Sequence, residues 1–204
     1  MNIKYLAIAL AAAGFISSSA SAQESPWLIR ARVVNIDTAN KSDPIAGTSI
    51  GKDQIHVSDK TIPELDITYF FTPHWAAELI LTYPQEHNVT VAGSKFGTFK
   101  HLPPVLTAQY HFSPESKISP YVGAGINYTR IFSVNLNGGT QLDQSSIGGA
   151  LQAGVDYKID KNWSLNLDVK KVQIRSDVKN AAGTKISEVR LDPWLIGAGV
   201  GYRF

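Results

Sequence analysis

The chain has 204 residues, no cysteine, 44% hydrophobic and 18% charged residues, and 19 basic against 17 acidic side chains. The missing cysteines exclude a disulfide scaffold, cysteine-ligated zinc and thiol chemistry. The near-neutral balance argues against a nucleic-acid partner, which needs a basic face, and a mean hydropathy of −0.07 excludes a polytopic helical membrane protein but not one that crosses with strands.

The chain opens with Lys4, an apolar run from Leu6 to Ile16, and the small-x-small sequence Ala20-Ser21-Ala22. Those three parts in order are a secretory signal peptide. The apolar run is too short to span a bilayer as a helix, which takes ~20 residues. Cleavage after Ala22 leaves residues 23–204 as the mature, exported domain.

From there the chain alternates with period two, the mark of strands whose two faces meet different surroundings. Residues 27–34 set Trp27, Ile29, Ala31 and Val33 against Arg30 and Arg32. Residues 64–71 set Leu65, Ile67, Tyr69 and Phe71 against Glu64, Asp66 and Thr68, and residues 75–83 set Trp75, Ala77, Leu79, Leu81 and Tyr83 against Glu78, Ile80 and Thr82. Residues 104–112, 120–132, 147–159, 163–169 and 193–204 continue the pattern, which predicts eight strands. The connections alternate as well. Thr72-Pro73-His74, Ser113 to Ser119 and Asp160-Lys161-Asn162 are short, whereas 37–60, 84–100, 133–146 and 176–188 are long and polar. An antiparallel up-and-down meander follows, with both termini and all short turns at one end.

The two faces identify the solvent. The polar face carries Arg30, Arg32, Asp66, Glu78, Asp156, Asp168, Lys170 and Arg203, together with glycines that suit a narrow interior. The apolar face carries aromatics at strand ends: Trp27, Phe71, Trp75, Phe112, Tyr157, Trp163, Tyr202 and Phe204 toward the short turns, and Tyr83, Tyr128 and Trp194 toward the long ones. Two aromatic girdles around an apolar band mark a transmembrane barrel. Backbone amides in lipid must all be paired, so such a sheet has to close. The predicted fold is all-β: an eight-stranded antiparallel up-and-down transmembrane β-barrel.

The segments His101-Leu-Pro-Pro-Val-Leu-Thr-Ala-Gln-Tyr-His-Phe112, Pro120-Tyr-Val-Gly-Ala-Gly-Ile-Asn-Tyr-Thr129 and Arg190-Leu-Asp-Pro-Trp-Leu-Ile-Gly-Ala-Gly-Val-Gly-Tyr-Arg-Phe204 closely resemble the outer membrane protein W (OmpW) family. Gly154-Val-Asp-Tyr157 and the strand at Trp163 are similar too. The resemblance covers essentially all of residues 23–204. It implies the outer membrane of a Gram-negative bacterium, contact with its lipid, and a narrow lumen for small hydrophobic molecules. Gly199, Tyr202 and Phe204 resemble the C-terminal signal read by the barrel-assembly machinery. Where the family places a bulky apolar lumen residue on the seventh strand, this sequence has Lys170.

Eight strands leave an interior that side chains nearly fill. Arg30, Arg32 and Arg203, on the adjacent first and eighth strands, are expected to pair with Asp66, Glu78, Asp156 and Asp168 near the short-turn end. Ile80, Thr82, Val105 and Ile131, with Lys170, are the candidates for an apolar lumen or gate in the outer half. Pro63 entering the second strand, Pro84 leaving the third, and Pro103 and Pro104 entering the fourth all fall at the long-loop end, and proline removes a ladder donor. A lateral notch there is one reading, and simple strand termination is the other. His56-Val-Ser58 has the His-x-Ser form of outer-membrane lipid hydrolases, but it is predicted in a loop with no carboxylate orienter, so no enzyme is expected. The histidines at 56, 74, 87, 101 and 111 show no metal-ligand spacing, and neither a metal nor a cofactor is expected. A structural or receptor barrel, whose loops bind phage, bacteriocin or host surfaces, is the alternative to transport.

Overall fold

The computed structural model describes residues 25–204. The signal peptide expected over residues 1–22 lies outside the described residues. In chain order the strands are β1 (Trp27–Asp37), β2 (Lys41–Ser42), β3 (Ile55–Val57), β4 (Lys60–Phe70), β5 (Trp75–Leu81), β6 (Gln85–Val91), β7 (Ser94–Leu102), β8 (Val105–His111), β9 (Ile118–Leu136), β10 (Gln141–Leu142), β11 (Ser145–Lys158), β12 (Trp163–Val172), β13 (Arg175–Lys179), β14 (Lys185–Arg190) and β15 (Trp194–Arg203).

The eight strands predicted from alternation are β1, β4, β5, β8, β9, β11, β12 and β15. They form one antiparallel sheet in the order β11-β12-β15-β1-β4-β5-β8-β9, and β9 pairs back onto β11 to close it. The seam between the first and last strands runs from Leu28↔Arg203 to Asp37↔Trp194. The closing ladder runs from Ser145↔Arg130 to Tyr157↔Ile118. Closure leaves no edge inside the lipid layer, where each unpaired amide costs several kcal/mol.

Alternation holds strictly within the wall. In β1, Leu28, Arg30, Arg32, Val34 and Ile36 are buried, while Trp27, Ala31, Val33 and Asn35 are exposed. The outward face is apolar almost throughout: Ile147 is 79% exposed, Leu151 65% and Leu167 60%. Around the short turns the girdle is a chain of edge-to-face ring contacts. Trp27 meets Tyr69 at 4.8 Å and Tyr69 meets Phe71 at 5.2 Å. Trp75 meets Tyr110 at 5.0 Å, and Trp163 meets Tyr202 at 4.9 Å. The outer girdle is Tyr83, Tyr128 and Trp194, all exposed, with the Lys171 ammonium 4.9 Å from the Trp194 ring.

The long connections differ from the expectation of polar loops: they contain seven strands. β9 runs on past the outer girdle and pairs β7, which pairs β6, which pairs β3. A second antiparallel sheet, β10-β13-β14-β2, stands opposite. The β6–β7 hairpin turns on Ala92 and Gly93, at φ 48° and 78°, the positive angles of a tight two-residue turn. These two sheets carry the largest buried apolar cluster, which includes Ile55, Val57, Val89, Phe99, Val178 and Val189. They stand on the barrel beyond the Tyr83, Tyr128 and Trp194 girdle as an extension with a core of its own.

Candidate functional site: a polar plug beneath an apolar cavity

The inward side chains form layers. At the short-turn end, Leu28, Phe70 and Ala76 make a small apolar cluster. Arg203 sits here, its Nε donating to the Ser25 carbonyl at 2.8 Å and its guanidinium 4.4 Å from the Phe70 ring. Register places it opposite Leu28, below Arg30 rather than beside it.

The middle of the lumen is an ion network. Arg30 contacts Asp156 at 2.7 Å, Glu78 at 2.9 Å and Asp66 at 3.4 Å. Arg32 contacts Glu64 and Asp66 at 3.1 Å, Glu78 at 3.4 Å and Asp168 at 3.8 Å. Lys170 bridges Glu64 at 2.8 Å and Asp168 at 2.7 Å. Neutral partners take the remaining sites. Gln152 Nε2 donates to Glu78 and Asp168, and Tyr121 Oη donates to Asp168, all at 2.8 Å. Asn166 Nδ2 donates to Asp156 at 2.9 Å. Arg30, Asp66 and Glu78 are 0% exposed, so the network fills the lumen from wall to wall. Buried charges of this kind persist only when every one has partners.

The small residues of the wall make this possible. A Cβ on Gly154 would lie 2.4 Å from the Tyr121 ring, and one on Gly201 would lie 3.2 Å from Arg30 Cγ. Tyr121 uses the space at Gly154 to reach Asp168 and to lie beneath the Arg30 guanidinium, 5.4 Å away.

The structure thus brings together Arg30, Arg32, Asp66, Glu78, Asp156 and Asp168, and it corrects Lys170, which belongs to the ion network instead of an apolar gate. The reason is reach: on β12, Lys170 stands two residues from Asp168 on the same face. Glu64 and Tyr121 also belong, beyond the residues that the charge pattern picks out. The parity that exposes Asp66 to the lumen exposes Glu64 too, and a large phenol opposite a glycine is a packing signal visible only across strands.

Above the plug the lumen turns apolar. Ile80, Val105 and Ile131 are buried in the extension's cluster. Thr82 does not join them; its hydroxyl donates to the Pro63 carbonyl at 3.2 Å within the wall. Over this layer lies an apolar cavity of about 200 Å³, walled on one side by Val57, Val89, Phe99 and Ile131 and on the other by Leu142, Val178, Ile186 and Val189.

The wall is interrupted where the prolines gather. The β5–β8 ladder ends at Ile80↔Val105, and the β6–β7 ladder begins at Gln85↔His101. Between them, residues 82–84 and 103–104 carry no strand pairing. Pro63 lies inside β4, not at its entrance, but above Leu65↔Leu81, the last pair β4 makes with β5. Its missing N–H therefore forfeits no ladder bond. Pro104 is tied to β9 through its carbonyl, which accepts from Tyr128 N at 3.1 Å.

Next to the interruption stand His87 and His101, their Nε2 atoms 3.1 Å apart. Both lie above the outer girdle. Burial, with His87 alongside, pushes His101 down to about 3, and burial also lowers His87. His56 is exposed on β3, a strand where the pattern predicts a loop, and Ser58 Oγ accepts from the Asn88 amide at 3.2 Å. No group of three or more potential metal ligands occurs among the described residues.

The sequence pattern of the OmpW family matches residues 23–204. The chain is 44% identical over 187 residues to an uncharacterized outer-membrane protein, y4mB, of Sinorhizobium fredii, covering 88% of this chain and 80% of that one. It is 35% identical to outer membrane protein W of Escherichia coli, over 98% and 99% of the two chains. Among solved structures, the outer membrane protein OprG of Pseudomonas aeruginosa superposes with a TM-score of 0.76 at 28% identity, covering 89% of this chain and 97% of that one.

Proposed function

The chain belongs to the OmpW family and is an eight-stranded barrel of the cell outer membrane, and we propose that it is a conduit for small apolar molecules that ends sideways in the lipid. The observation that carries this is the stacking of an apolar layer and an apolar cavity above a buried polar plug. A hydrophobic solute gains about 25 cal/mol per Å² on leaving water for such a cavity. It gains nothing by descending farther, because the next layer is the ion network of Arg30, Arg32 and Lys170. The exit that matches its chemistry is lateral. Residues 82–84 and 103–104 lie at the height of Tyr83 and Tyr128, where the wall lacks ladder bonds and the hydrocarbon begins.

The test is transfer of an apolar fluorescent naphthylamine into vesicles carrying the purified barrel. The protein should accelerate transfer over protein-free vesicles, and replacing both Pro103 and Pro104 with valine, which restores the missing donors, should slow it several-fold. Unchanged transfer in the double variant removes the lateral exit. No acceleration by the unaltered protein removes the conduit and leaves a structural or receptor barrel.

A further inference from the structure

Behind Phe99, in the wall of the conduit's apolar cavity, lie buried polar side chains that nothing in the conduit role requires. Gln85 and His101 face each other in the β6–β7 ladder, on the buried side, at the first pair above the wall interruption. Gln85 is 0% exposed and His101 2%. Gln85 Nε2 donates to the Tyr83 carbonyl at 2.9 Å, which turns Oε1 the other way. His87 Nδ1 lies 2.7 Å from the Ser58 carbonyl; a carbonyl only accepts, so this nitrogen carries the proton. The neutral His87 ring then accepts at Nε2, and His101 Nε2 must be the donor across the 3.1 Å contact. That leaves His101 Nδ1 as a bare lone pair. Among the described residues, Gln85 Oε1 and His101 Nδ1 are both buried without a hydrogen-bond partner.

Two acceptors on paired residues, each desolvated and unpaired, are an expensive arrangement for a fold to keep. They stand beside Phe99, whose ring centre is 6.0 Å from His101, and Phe99 lines the cavity. We propose that Gln85 Oε1 and His101 Nδ1 form an acceptor site for the O–H or N–H head of an otherwise apolar solute, so that the conduit prefers phenols, alcohols and neutral aromatic amines to plain hydrocarbons. This rests on the conduit reading and names its cargo class. A site built to pair a donor rejects the analogue that lacks one, because the acceptors are then left unpaired.

The experiment compares binding of naphthalene, 1-naphthol and 1-methoxynaphthalene to the purified protein in lipid nanodiscs, each referenced to protein-free nanodiscs. The methoxy compound keeps the oxygen and lacks the donor. 1-Naphthol should bind more tightly than both others, by roughly three- to tenfold for one recovered hydrogen bond. His101→Phe and Gln85→Leu should each bring the naphthol-to-methoxynaphthalene ratio to about one. In the unaltered protein the ¹⁵N resonance of His101 Nδ1 should move with 1-naphthol alone, a readout independent of how the variants fold. Equal affinities with an unmoved resonance overturn the acceptor site and leave the conduit standing; a water held by the two acceptors gives this result. If none of the three binds and none is transferred, the conduit falls and the acceptor site with it.

Discussion

Lys170→Met tests the plug at its least expected member. Methionine keeps the length of the stem and removes the charge. Lys170 is 1% exposed, with Glu64 and Asp168 within 2.8 Å of its ammonium. Removing one partner of a buried ion pair costs about 3–5 kcal/mol, because the remaining charge is stranded. Here both carboxylates keep other partners: Glu64 retains Arg32 at 3.1 Å, and Asp168 retains Tyr121 and Gln152 at 2.8 Å. The expected loss is therefore at the low end, about 3 kcal/mol. Adding Glu64→Gln removes one stranded charge, so the double variant should regain about 1–2 kcal/mol over the single one, a coupling that a mutant cycle isolates. Urea unfolding in vesicles reads this directly. All four tryptophans, Trp27, Trp75, Trp163 and Trp194, face the lipid at the girdles, so unfolding moves every reporter into water. A single variant within ~0.5 kcal/mol of the parent, or a double variant less stable than the single, would refute the network as the lumen's organiser.

Gly154→Ala should lower stability by about 2 kcal/mol, since its methyl meets the Tyr121 ring at 2.4 Å, whereas Gly149→Ala, whose nearest neighbour is 3.4 Å away, should be neutral in the same assay. The extension should loosen in acid. His101 binds its proton near 6.5 when unfolded and only at about 3 when folded, so stability falls as pH drops through 6.5, by about 2 kcal/mol at pH 5. Protease nicking of the β6–β7 hairpin should rise accordingly, and His101→Phe should flatten the rise. Phe204 is 59% exposed on the outward face and meets Tyr202 edge-to-face at 5.1 Å. Phe204→Ala should reduce folded barrel in the outer membrane several-fold while leaving refolding into synthetic vesicles nearly unchanged; equal defects in both would assign Phe204 to stability instead of assembly.

The barrel wall was legible because lipid imposes a strictly local rule. Each outward position must be apolar, each inward one is free, and the side-chain period of a strand is two. Ile29, Ala31 and Val33 against Arg30 and Arg32 state that rule within one segment, and the eight strands read from it are those the closed sheet uses. Outside the lipid the rule lapses. Along β6 and β7, water meets one face and a small private core the other, so His87, Val89 and Val91 alternate with polar residues inside what reads as a polar loop. The plug's partners were beyond reach for a different reason. Arg30 and Asp156 are 126 residues apart and meet only through the stagger with which the sheet closes, a property of the whole barrel and of no single strand. The sequence by itself determined which side chains enter the lumen. Closure decided which of them touch across the lumen: it put Asp156 against Arg30, Glu64 against Lys170, and Tyr121 over Gly154.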